Sequence, residues 1–402
     1  MKTVLFVGAG RHQRAAILRA RELGFRVAAV DRNPSAPGLR EADVPEAVDF
    51  SDVPAAIEAA RRIEPDGVLA ISADRAVPVA AAIAEGLGLP GIGTRTAHLL
   101  THKVAMRRRL AEAGVPQPRF AAARTLREGR LAAEEIRYPS VLKPADSGGQ
   151  RGVFRLESLD DLDAHLHAAL AESPTGEAIV EEFVEGTEMN GIAIARHGEV
   201  LPLTLSDRLR PPRIGFGVGW IHVYPASIFG DQLAAAEEAM VRSVRALGLR
   251  DGIAFPQLIA TRDGGVSVVE VAARIPGGQM ADLVRHAVGV DLVEVALRQA
   301  VGEEVRDDLV RPTFTQPLAI RFFTAEPGPL PTGKVRRVGS LEKIRAFPGV
   351  VQADTYNVPG ETIRPVRLDG DRRGYVIAIA DTSIEALERA EAAASLIDVE
   401  VE

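Results

Sequence analysis

The stretch SVLKPADSGGQRGVFRL, residues 140–156, decides our prediction of the fold. It contains an apolar strand that ends at Lys143, a loop rich in glycine and serine, and a returning strand, Val153–Leu156. Such a hairpin can close over phosphates, because glycines let backbone N–H groups approach the oxygens and the lysine adds a positive charge. It is not a P-loop, in which the lysine follows the glycines and a helix begins. Taken alone, the hairpin fits a phosphate-binding loop and a plain mobile turn equally well.

Lysine is rare in the rest of the sequence. Among the 48 basic residues, the lysines are Lys2, Lys103, Lys143, Lys334 and Lys343. Because the chain uses arginine wherever a positive surface charge suffices, each lysine raises the question of why arginine would not serve. A solvated surface lysine remains the alternative at each single position. Lys103 lies in a predicted helix over Thr101–Ala113, and the turn-rich segment from Gly114 to Pro118 predicts a boundary between domains.

The first hundred residues predict a parallel sheet wound with helices. The strand Thr3–Val7 is followed by Gly8-Ala9-Gly10 and a helix, and the strand Arg26–Val30 ends in Asp31. A glycine-rich turn at a helix N-terminus, with an acid about 20 residues later, is typical of a dinucleotide site. Gln13 replaces the third glycine of that pattern, so a tight turn without a cofactor is the alternative.

Composition narrows the class of protein. The chain has 402 residues, of which 46% are hydrophobic and 26% charged, with a net charge of −7 and no cysteine. This predicts a compact protein of two to four domains, with no general attraction to nucleic acid. The lack of cysteine excludes disulfides, thiolate catalysis and zinc–thiolate sites. Met1 leads directly into the first strand, with no secretory leader or membrane-spanning run, so we expect a cytoplasmic protein that binds no membrane.

A second hairpin is predicted around the turn Asp263-Gly264-Gly265. Counting outward from this turn places Gln257 approximately opposite Glu270, and Glu270 and Arg274 alternate onto one face of their strand. A carboxylate, an amide oxygen and an arginine predict a Mg²⁺–phosphate site, because Mg²⁺ needs few protein ligands when phosphates supply the others. The alternative is a structural ion pair between Glu270 and Arg274, since a charge that faces inward requires a partner.

Two other segments are ambiguous. The strand Ala178–Val184 runs into Glu185–Glu188, and such a segment can present backbone groups to an adenine edge and a carboxylate to ribose. Exposed acids that flank a strand are the alternative. The segment Gly328–Lys334 has the spacing GxxxxGK, but Val335 offers Mg²⁺ no hydroxyl and two prolines stiffen the loop, so we interpret it as a connector.

The order of these motifs resembles the ATP-grasp superfamily of ligases along nearly the whole chain. The resemblance implies an α/β fold of three domains: an amino-terminal Rossmann-like domain with a parallel sheet (1–98), a small α+β domain with the ATP lid (99–186) and a mixed α+β catalytic domain with a tail subdomain (187–402). Within the superfamily the sequence is most similar to the bacterial L-amino-acid (dipeptide) ligases. They share the continuation Arg274–Gly278, a stretch like His222–Ser227 and a tail with a helix, predicted here over Ser383–Leu396.

The resemblance implies a site for ATP. The residues at the matching positions are Lys103, Lys143, Ser147, Gly148, Gly149, Gln150, Gly152, Glu181, Val184 and Glu188. Both lysines would contact the phosphates, and the segment from residue 147 to residue 152 would be the mobile loop over them. Glu181 and the backbone of Val184 would meet adenine, and Glu188 would meet ribose.

The resemblance also implies a metal site and a substrate pocket. Glu270 and Gln257 would hold Mg²⁺, for which Mn²⁺ could substitute. Family members usually have Glu where Gln257 stands and Asn where Ala272 stands, so the number of metal ions is open. Arg274, Lys143 and His222 would be catalytic. The pocket residues would be Arg274, Gly277, Gly278, His222 and Asp74.

The activity that the resemblance implies is ATP-dependent carboxylate–amine ligation through an acyl phosphate, on amino acids, with release of ADP and phosphate. Small-molecule carboxylate and amine substrates are the expected partners, and a homodimer is possible because dimers are common among relatives. Three alternatives remain. They are an ATP-grasp enzyme that uses bicarbonate or a purine intermediate, a nucleotide-binding pseudoenzyme and a dinucleotide-dependent oxidoreductase.

Overall fold

The computed structural model describes residues 1–211 and 218–402. The amino-terminal region is a parallel sheet of four strands in the order β3-β2-β1-β4. Its elements are β1 (Thr3–Val7), α1 (Arg11–Glu22), β2 (Arg26–Val30), β3 (Val44–Glu46), α2 (Val53–Ile63), β4 (Gly67–Ala70), α3 (Ala76–Leu87) and α4 (Thr94–Leu99). Every residue of β1 is buried, as expected for a parallel strand with helices on both faces of its sheet. The predicted sheet is confirmed.

The helix α3 ends later than the sequence suggests. We expected Gly86 to stop it after Glu85, but the helix continues to Leu87. Gly88 ends it in the left-handed conformation, with φ of +67°, and donates its backbone N–H to carbonyls of the last turn. A glycine is tolerated inside a helix, whereas the left-handed cap favours glycine, so the second glycine is the true stop.

The central region is an antiparallel sheet of four strands in the order β5-β8-β6-β7, with two helices packed on it. Its elements are α5 (Lys103–Glu112), β5 (Phe120–Ala123), α6 (Leu126–Ile136), β6 (Ser140–Pro144), β7 (Phe154–Leu156), α7 (Leu159–Ala171) and β8 (Ala178–Glu182). The strands β6 and β7 pair with Leu142 opposite Phe154. The predicted hairpin around Lys143 is therefore present, and its loop projects from the end of β6.

The carboxy-terminal region contains a sheet of eight strands in the order β13-β12-β9-β10-β11-β14-β18-β16 and a small sheet in the order β17-β15-β19. Its strands are β9 (Gly186–Arg196), β10 (Glu199–Leu209), β11 (Ile221–Tyr224), β12 (Gly252–Thr261), β13 (Val266–Ala272), β14 (Leu318–Phe322), β15 (Gly333–Val338), β16 (Val350–Thr355), β17 (Thr362–Ile363), β18 (Gly374–Ile379) and β19 (Val399–Val401). Its helices are α8 (Gly230–Ala246), α9 (Met280–Val288), α10 (Leu292–Ala300), α11 (Asp307–Val310), α12 (Glu342–Arg345) and α13 (Ser383–Ala394). Two strands of the large sheet, β16 and β18, come from the tail, so the tail is part of the carboxy-terminal region.

The amino-terminal and carboxy-terminal sheets are joined at the end of β4. Ile71 pairs in parallel with Ile275, and the backbone N–H of Ser72 donates to the carbonyl of Ile275 at 2.9 Å. The helices α1 and α10 also pack together. These contacts bring the carboxyl end of β4 beside the segment that follows β13. No helix in the described ranges is both long enough and apolar enough to cross a membrane.

Candidate active site

A cleft of about 400 Å³ lies where the three larger sheets meet, a size typical of small-molecule sites. Nearly all of the predicted site residues line it. They are Asp74, Lys103, Lys143, Ser147, Gly148, Gly149, Gln150, Glu181, Val184, Glu188, His222, Gln257, Glu270, Arg274, Gly277 and Gly278. Gly152 is the exception, because it faces Pro144 and Glu172 at the far end of the loop. The structure therefore brings the predicted residues together in one cleft, although they come from all three regions.

A buried cluster of charges holds Lys143. Lys143, on β6, is 6% exposed, and its Nζ lies 2.7 Å from Oε2 of Glu181 on β8. The guanidinium of Arg107 donates to both oxygens of the same carboxylate, at 2.8 and 3.1 Å. Burial would raise the pKa of Glu181, but the two cations outweigh it and lower that pKa to about 2. The three charges leave one net positive charge at the wall of the cleft, which suits a phosphate.

Arg107 is a site residue that sequence reasoning missed. It also donates to the carbonyl oxygens of Val268 and Val269, so it ties α5 to β13. The signal was available, because Arg107 follows Lys103 by four residues on the same helix and therefore lies on the same face. The carboxylate of Glu181 is turned towards Arg107 and Lys143, and its contact with adenine stays a prediction.

Lys103 joins the loop Ser147–Gly152 to the eight-stranded sheet. It is the first residue of α5, and its backbone N–H donates to the carbonyl of Ala145 at 2.6 Å. Its Nζ donates to the carbonyl of Ser147 at 2.8 Å and lies 3.2 Å from Oε1 of Glu270. One ammonium group therefore stands between the loop and the proposed metal ligand. A phosphate bound between the loop and Glu270 would lie beside this positive charge.

The ladder between β12 and β13 places the candidate metal ligands side by side. Gln257 pairs with Glu270, as counting from the turn predicted, and a bulge follows Gln257. The described residues contain no group of three or more His, Asp and Glu side chains able to hold a metal by themselves. One carboxylate and one amide oxygen fit a Mg²⁺ ion that takes most of its ligands from phosphates. Glu270 and Gln257 thus suit one such ion.

Arg274 pairs with an aspartate from the amino-terminal region. Its Nε and Nη2 lie 2.7 and 2.6 Å from Oδ1 of Asp74. The alternative of an ion pair between Glu270 and Arg274 is wrong, because Glu270 faces Lys103 while Arg274 faces Asp74. A side-chain carbon added at Gly148 would collide with Oδ2 of Asp74. Asp74 therefore lies between the arginine and the loop.

His222, on β11, is buried in the cleft wall beside an amide that the sequence did not reveal. Nδ2 of Asn190 lies 3.1 Å from Nδ1 of His222, and Nε2 of Gln257 donates to Oδ1 of Asn190 at 3.2 Å. Burial, followed by Arg372 and Arg208, lowers the pKa of His222 to about 3. The histidine is therefore neutral at ordinary pH. In the structure, Gln257, Asn190 and His222 are therefore linked by two successive hydrogen bonds.

Glu188 is held by two arginines. Its oxygens lie 2.6 Å from Nη1 of Arg208 and 2.6 Å from Nη2 of Arg210. These arginines line the cleft. Arg208 lies on β10 and Arg210 follows the end of that strand, and their spacing of two residues could have indicated a shared face. A ribose hydroxyl would have to share this carboxylate with them, so the ribose contact stays a prediction.

The tail contributes a further arginine to the same end of the cleft. Arg372 stacks over Phe322, 4.3 Å from the ring centroid, and its Nη2 lies 3.5 Å from Oδ2 of Asp369. Burial would raise the pKa of Asp369, but Arg372 and Arg208 lower it overall. Both residues line the cleft. They lie about a hundred residues beyond the other site residues, so no local motif pointed to them.

The amino-terminal glycine turn faces inward. The backbone N–H of Ala9 donates to Oδ2 of Asp31 at 2.9 Å, and Nε2 of Gln13 donates to the carbonyl of Ile71 at 2.7 Å. A dinucleotide would need Asp31 for its ribose and the free N–H groups of the turn for its phosphates. Here the aspartate and the turn satisfy each other, which favours the interpretation as a tight turn.

Comparisons with known proteins agree with this geometry. Residues 102–308 match the family model of the carbamoyl-phosphate synthase L chain ATP binding domain, and residues 321–402 match that of the L-amino acid ligase C-terminal domain 2. The chain is 31% identical to an uncharacterized protein of Sinorhizobium fredii over 307 residues, which are 74% of this chain and 60% of that protein. This chain therefore spans less than two thirds of the length of the Sinorhizobium fredii protein.

Two other similarities cover nearly the whole chain. The sequence is 28% identical to the formate-dependent phosphoribosylglycinamide formyltransferase of Ignicoccus hospitalis, over 98% of this chain and 95% of that protein. The crystal structure of an L-amino acid ligase from Bacillus licheniformis superposes with a TM-score of 0.83 and 22% identity, covering 100% of this chain and 99% of the other. The structural match shows a shared fold.

Proposed function

The chain belongs to the ATP-grasp superfamily, and on that premise we propose that it is an ATP-dependent carboxylate–amine ligase that acts on amino acids. One observation carries the proposal. Two buried lysines from different elements, Lys103 and Lys143, face the cleft together with the carboxylate of Glu270 and the guanidinium of Arg274. This combination suits a phosphate chain next to a carboxylate, and no side-chain nucleophile is needed.

In the first step, a carboxylate oxygen of the acid substrate attacks the γ-phosphorus of ATP, and the bond to the β-phosphate oxygen breaks. The products are an acyl phosphate and ADP. Lys143 and Lys103 offset the negative charge of the phosphates, and Arg274 orients the carboxylate. A Mg²⁺ ion held by Glu270 and Gln257 would supply further positive charge at the phosphate oxygens.

In the second step, the amine attacks the carbonyl carbon of the acyl phosphate, the bond from that carbon to the phosphate oxygen breaks, and the nitrogen gives its proton to the departing inorganic phosphate. Water would compete with the amine for the same carbon. The loop Ser147–Gly152 would reduce this competition when it lies over the cleft, as its contact with Lys103 and Asp74 suggests. The protein therefore contributes mainly by positioning the substrates, by offsetting the charge of the phosphates and by keeping water away from the acyl phosphate.

The assignment to amino acids rests on the tail. The region that matches the L-amino acid ligase C-terminal domain includes β16 and β18 of the catalytic sheet. It also supplies Arg372 to the cleft. An arginine there suits a substrate that keeps a free carboxylate after the amide forms, as an amino acid acceptor does.

A second candidate is ligation of a carboxylate to a phosphorylated amine. The near full-length similarity to the formyltransferase favours it, and Arg208, Arg210 and Arg372 at one end of the cleft would suit a phosphate. This candidate shares the nucleotide site and the acyl phosphate with the first. The two differ in the carboxylate that is activated and in the amine that is accepted.

An amino-acid-pair screen tests the proposal. Purified protein is incubated with Mg·ATP and pairs of amino acids, and phosphate and ADP release are measured, with hydroxylamine added to trap the acyl phosphate as a hydroxamate. We expect release with at least one pair. No release with any pair, but release with formate and a phosphoribosylamine, would favour the second candidate. ATP binding without release under every condition would identify the pseudoenzyme that Gln257 and Ala272 leave open. Light scattering in the same buffer tests the predicted homodimer.

A further inference from the structure

A row of polar side chains crosses the large sheet from the candidate metal ligand to the acceptor end of the cleft. Glu270 on β13 pairs with Gln257 on β12, and Gln257 pairs with Asn190 on β9. Asn190 then reaches His222 on β11, beyond the intervening strand β10. Asn190 and His222 are 1% and 3% exposed, so their polar atoms depend on each other rather than on water.

In the structure, the amide orientations of Gln257 and Asn190 give the hydrogen bonds of this row one direction. Nε2 of Gln257 donates to Oδ1 of Asn190, which turns the amide nitrogen of Asn190 towards Nδ1 of His222. An amide nitrogen only donates, so Nδ1 of His222 must accept and carries no proton. The single proton of the neutral ring therefore lies on Nε2.

The Nε2 atom of His222 faces the substrate pocket. A side-chain carbon built on Gly278 would lie 3.5 Å from it and 3.3 Å from Nη1 of Arg372. Because residue 278 is glycine, this space is available to a substrate. The N–H of His222 and the guanidinium of Arg372 thus point to the same volume, and both are donors. An anionic oxygen is the group that suits such a place.

We propose that Gln257 is a positioning residue which, through Asn190, fixes His222 as the Nε2–H tautomer, so that His222 donates a hydrogen bond to an oxygen of the activated carboxylate or its phosphate. In this arrangement His222 does not accept the proton of the attacking amine. The identity of that oxygen rests on the function proposed above. The tautomer itself does not, because it follows from the orientations of the Gln257 and Asn190 amides within the protein.

The amide of Gln257 is essential to this arrangement, because a carboxylate at residue 257 could not donate a hydrogen bond to Asn190. With Gln257→Glu, Asn190 would turn its Nδ2 towards the new carboxylate and present Oδ1 to His222. Nδ1 of His222 would then have to carry the proton, and Nε2 would become an acceptor. A change of one atom at residue 257 would therefore reverse the donor character of the histidine two side chains away.

Nitrogen-15 NMR of histidine-labelled protein tests the tautomer directly. The sequence has eight histidines, and the signal of His222 is identified as the one absent from His222→Asn. We expect the native protein to show a protonated Nε2 and an unprotonated Nδ1. We expect Gln257→Glu to move the proton to Nδ1. A proton on Nδ1 in the native protein, or an unchanged Nε2–H tautomer in Gln257→Glu, would overturn the proposal.

A second variant reaches the same result without touching residue 257. In Asn190→Asp, the aspartate would accept from Gln257 on one side and from Nδ1–H of His222 on the other, so the proton should again lie on Nδ1. Gln232→Glu, on α8, is the matched control for an amide-to-carboxylate change, because its amide nitrogen donates to the carbonyls of Thr261 and Gly265, at the turn between β12 and β13. It should leave the signal of His222 unchanged.

Measurements of kcat and of the KM for ATP separate a loss of His222 positioning from damage to the nucleotide site. Once a substrate pair is known, we expect Gln257→Glu and Asn190→Asp each to lower kcat about 10- to 100-fold, the range for losing one hydrogen bond to a charged group. The KM for ATP should stay within about twofold of the native value in Asn190→Asp. An unchanged kcat with a shifted tautomer would remove the catalytic half of the proposal. If no substrate pair is found, the NMR result still decides the tautomer.

Discussion

Two glycine-rich turns in this chain each follow a buried strand, and they use their backbone groups in different ways. In the turn Gly8-Ala9-Gly10, the N–H of Ala9 donates to Asp31 and its carbonyl accepts from the N–H of Gly38 at 2.7 Å. A side-chain carbon at Gly38 would lie 2.7 Å from that carbonyl, so the next loop packs directly on the turn. The backbone N–H and carbonyl of Ala9 in the first turn are therefore both hydrogen-bonded within the amino-terminal region.

The loop Ser147–Gly152 is arranged differently. Among residues 1–211 and 218–402, the backbone N–H groups of Gly148 and Gly149 donate no hydrogen bond. The carbonyl of Ser147 is bound by Lys103, and Gly148 touches Asp74 of another region. A glycine pattern therefore does not by itself identify an anion site. What distinguishes the second turn is that its donors remain available and that buried cations surround it.

The largest expected effect concerns the cation beside the second turn. We expect Lys143→Ala to lower kcat/KM for ATP about 100- to 1,000-fold, because it removes a buried charge from the phosphate site while Arg107 still pairs with Glu181. ADP release by a coupled assay measures it. The matched control is Lys334→Ala, since Lys334 follows glycines in the GxxxxGK segment but is 58% exposed and pairs with Glu402. Equal activity of both variants would remove Lys143 from the mechanism.

The next effect tests the contact of the second turn with Asp74. In Gly148→Ala the new methyl group collides with Asp74, so either the loop moves outward or the pair between Asp74 and Arg274 is disturbed. We expect kcat to fall about 10- to 100-fold, as for a displaced catalytic group, with little change in the free energy of unfolding. Gly86→Ala, inside α3 with open space around it, is the control and should retain full activity. Native kcat in Gly148→Ala would show that the contact is not needed in catalysis.

Much of the fold could be predicted from local pattern. The bounds of β1 and β2 agree with the sequence prediction, because short apolar runs between glycines leave few alternatives. The pairing of Gln257 with Glu270 also followed from the sequence, since a tight turn sets the register of its hairpin. Lys143 was recognised because the chain uses lysine so rarely.

The partners of the site residues could not be predicted in the same way. The pairing of Asn190 with Gln257 requires β9 to lie beside β12, and the reach from Asn190 to His222 requires β11 to lie beyond β10. That order is a property of the eight-stranded sheet and has no local signature. The alternative of an ion pair between Glu270 and Arg274 is wrong for the same reason, because residues more distant in sequence, Lys103 and Asp74, pair with them instead.

A smaller effect, of the opposite kind, is expected in the first turn. Gly8 has a φ of +94°, where a residue with a side chain is strained. We expect Gly8→Ala to lower the free energy of unfolding by about 1–2 kcal/mol, measured by urea denaturation, and to leave kcat/KM for ATP within about twofold of native. The two variants should therefore have opposite effects: Gly8→Ala lowers stability but not activity, and Gly148→Ala lowers activity but not stability. A loss of ATP turnover in Gly8→Ala without a loss of stability would contradict the separation.

The smallest effect concerns Asp31, the residue on which the two interpretations of the first turn disagree. Its two oxygens accept from the backbone N–H groups of Ala9 and Asn33, both at 2.9 Å. In Asp31→Asn one oxygen remains, so one of these bonds is lost, and we expect the free energy of unfolding to fall by about 0.5–1 kcal/mol. Isothermal titration should show no NAD(H) binding to either protein. If the native protein bound NAD(H) and the variant bound it more weakly, Asp31 would hold a ribose, and the first turn would be a nucleotide site like the second.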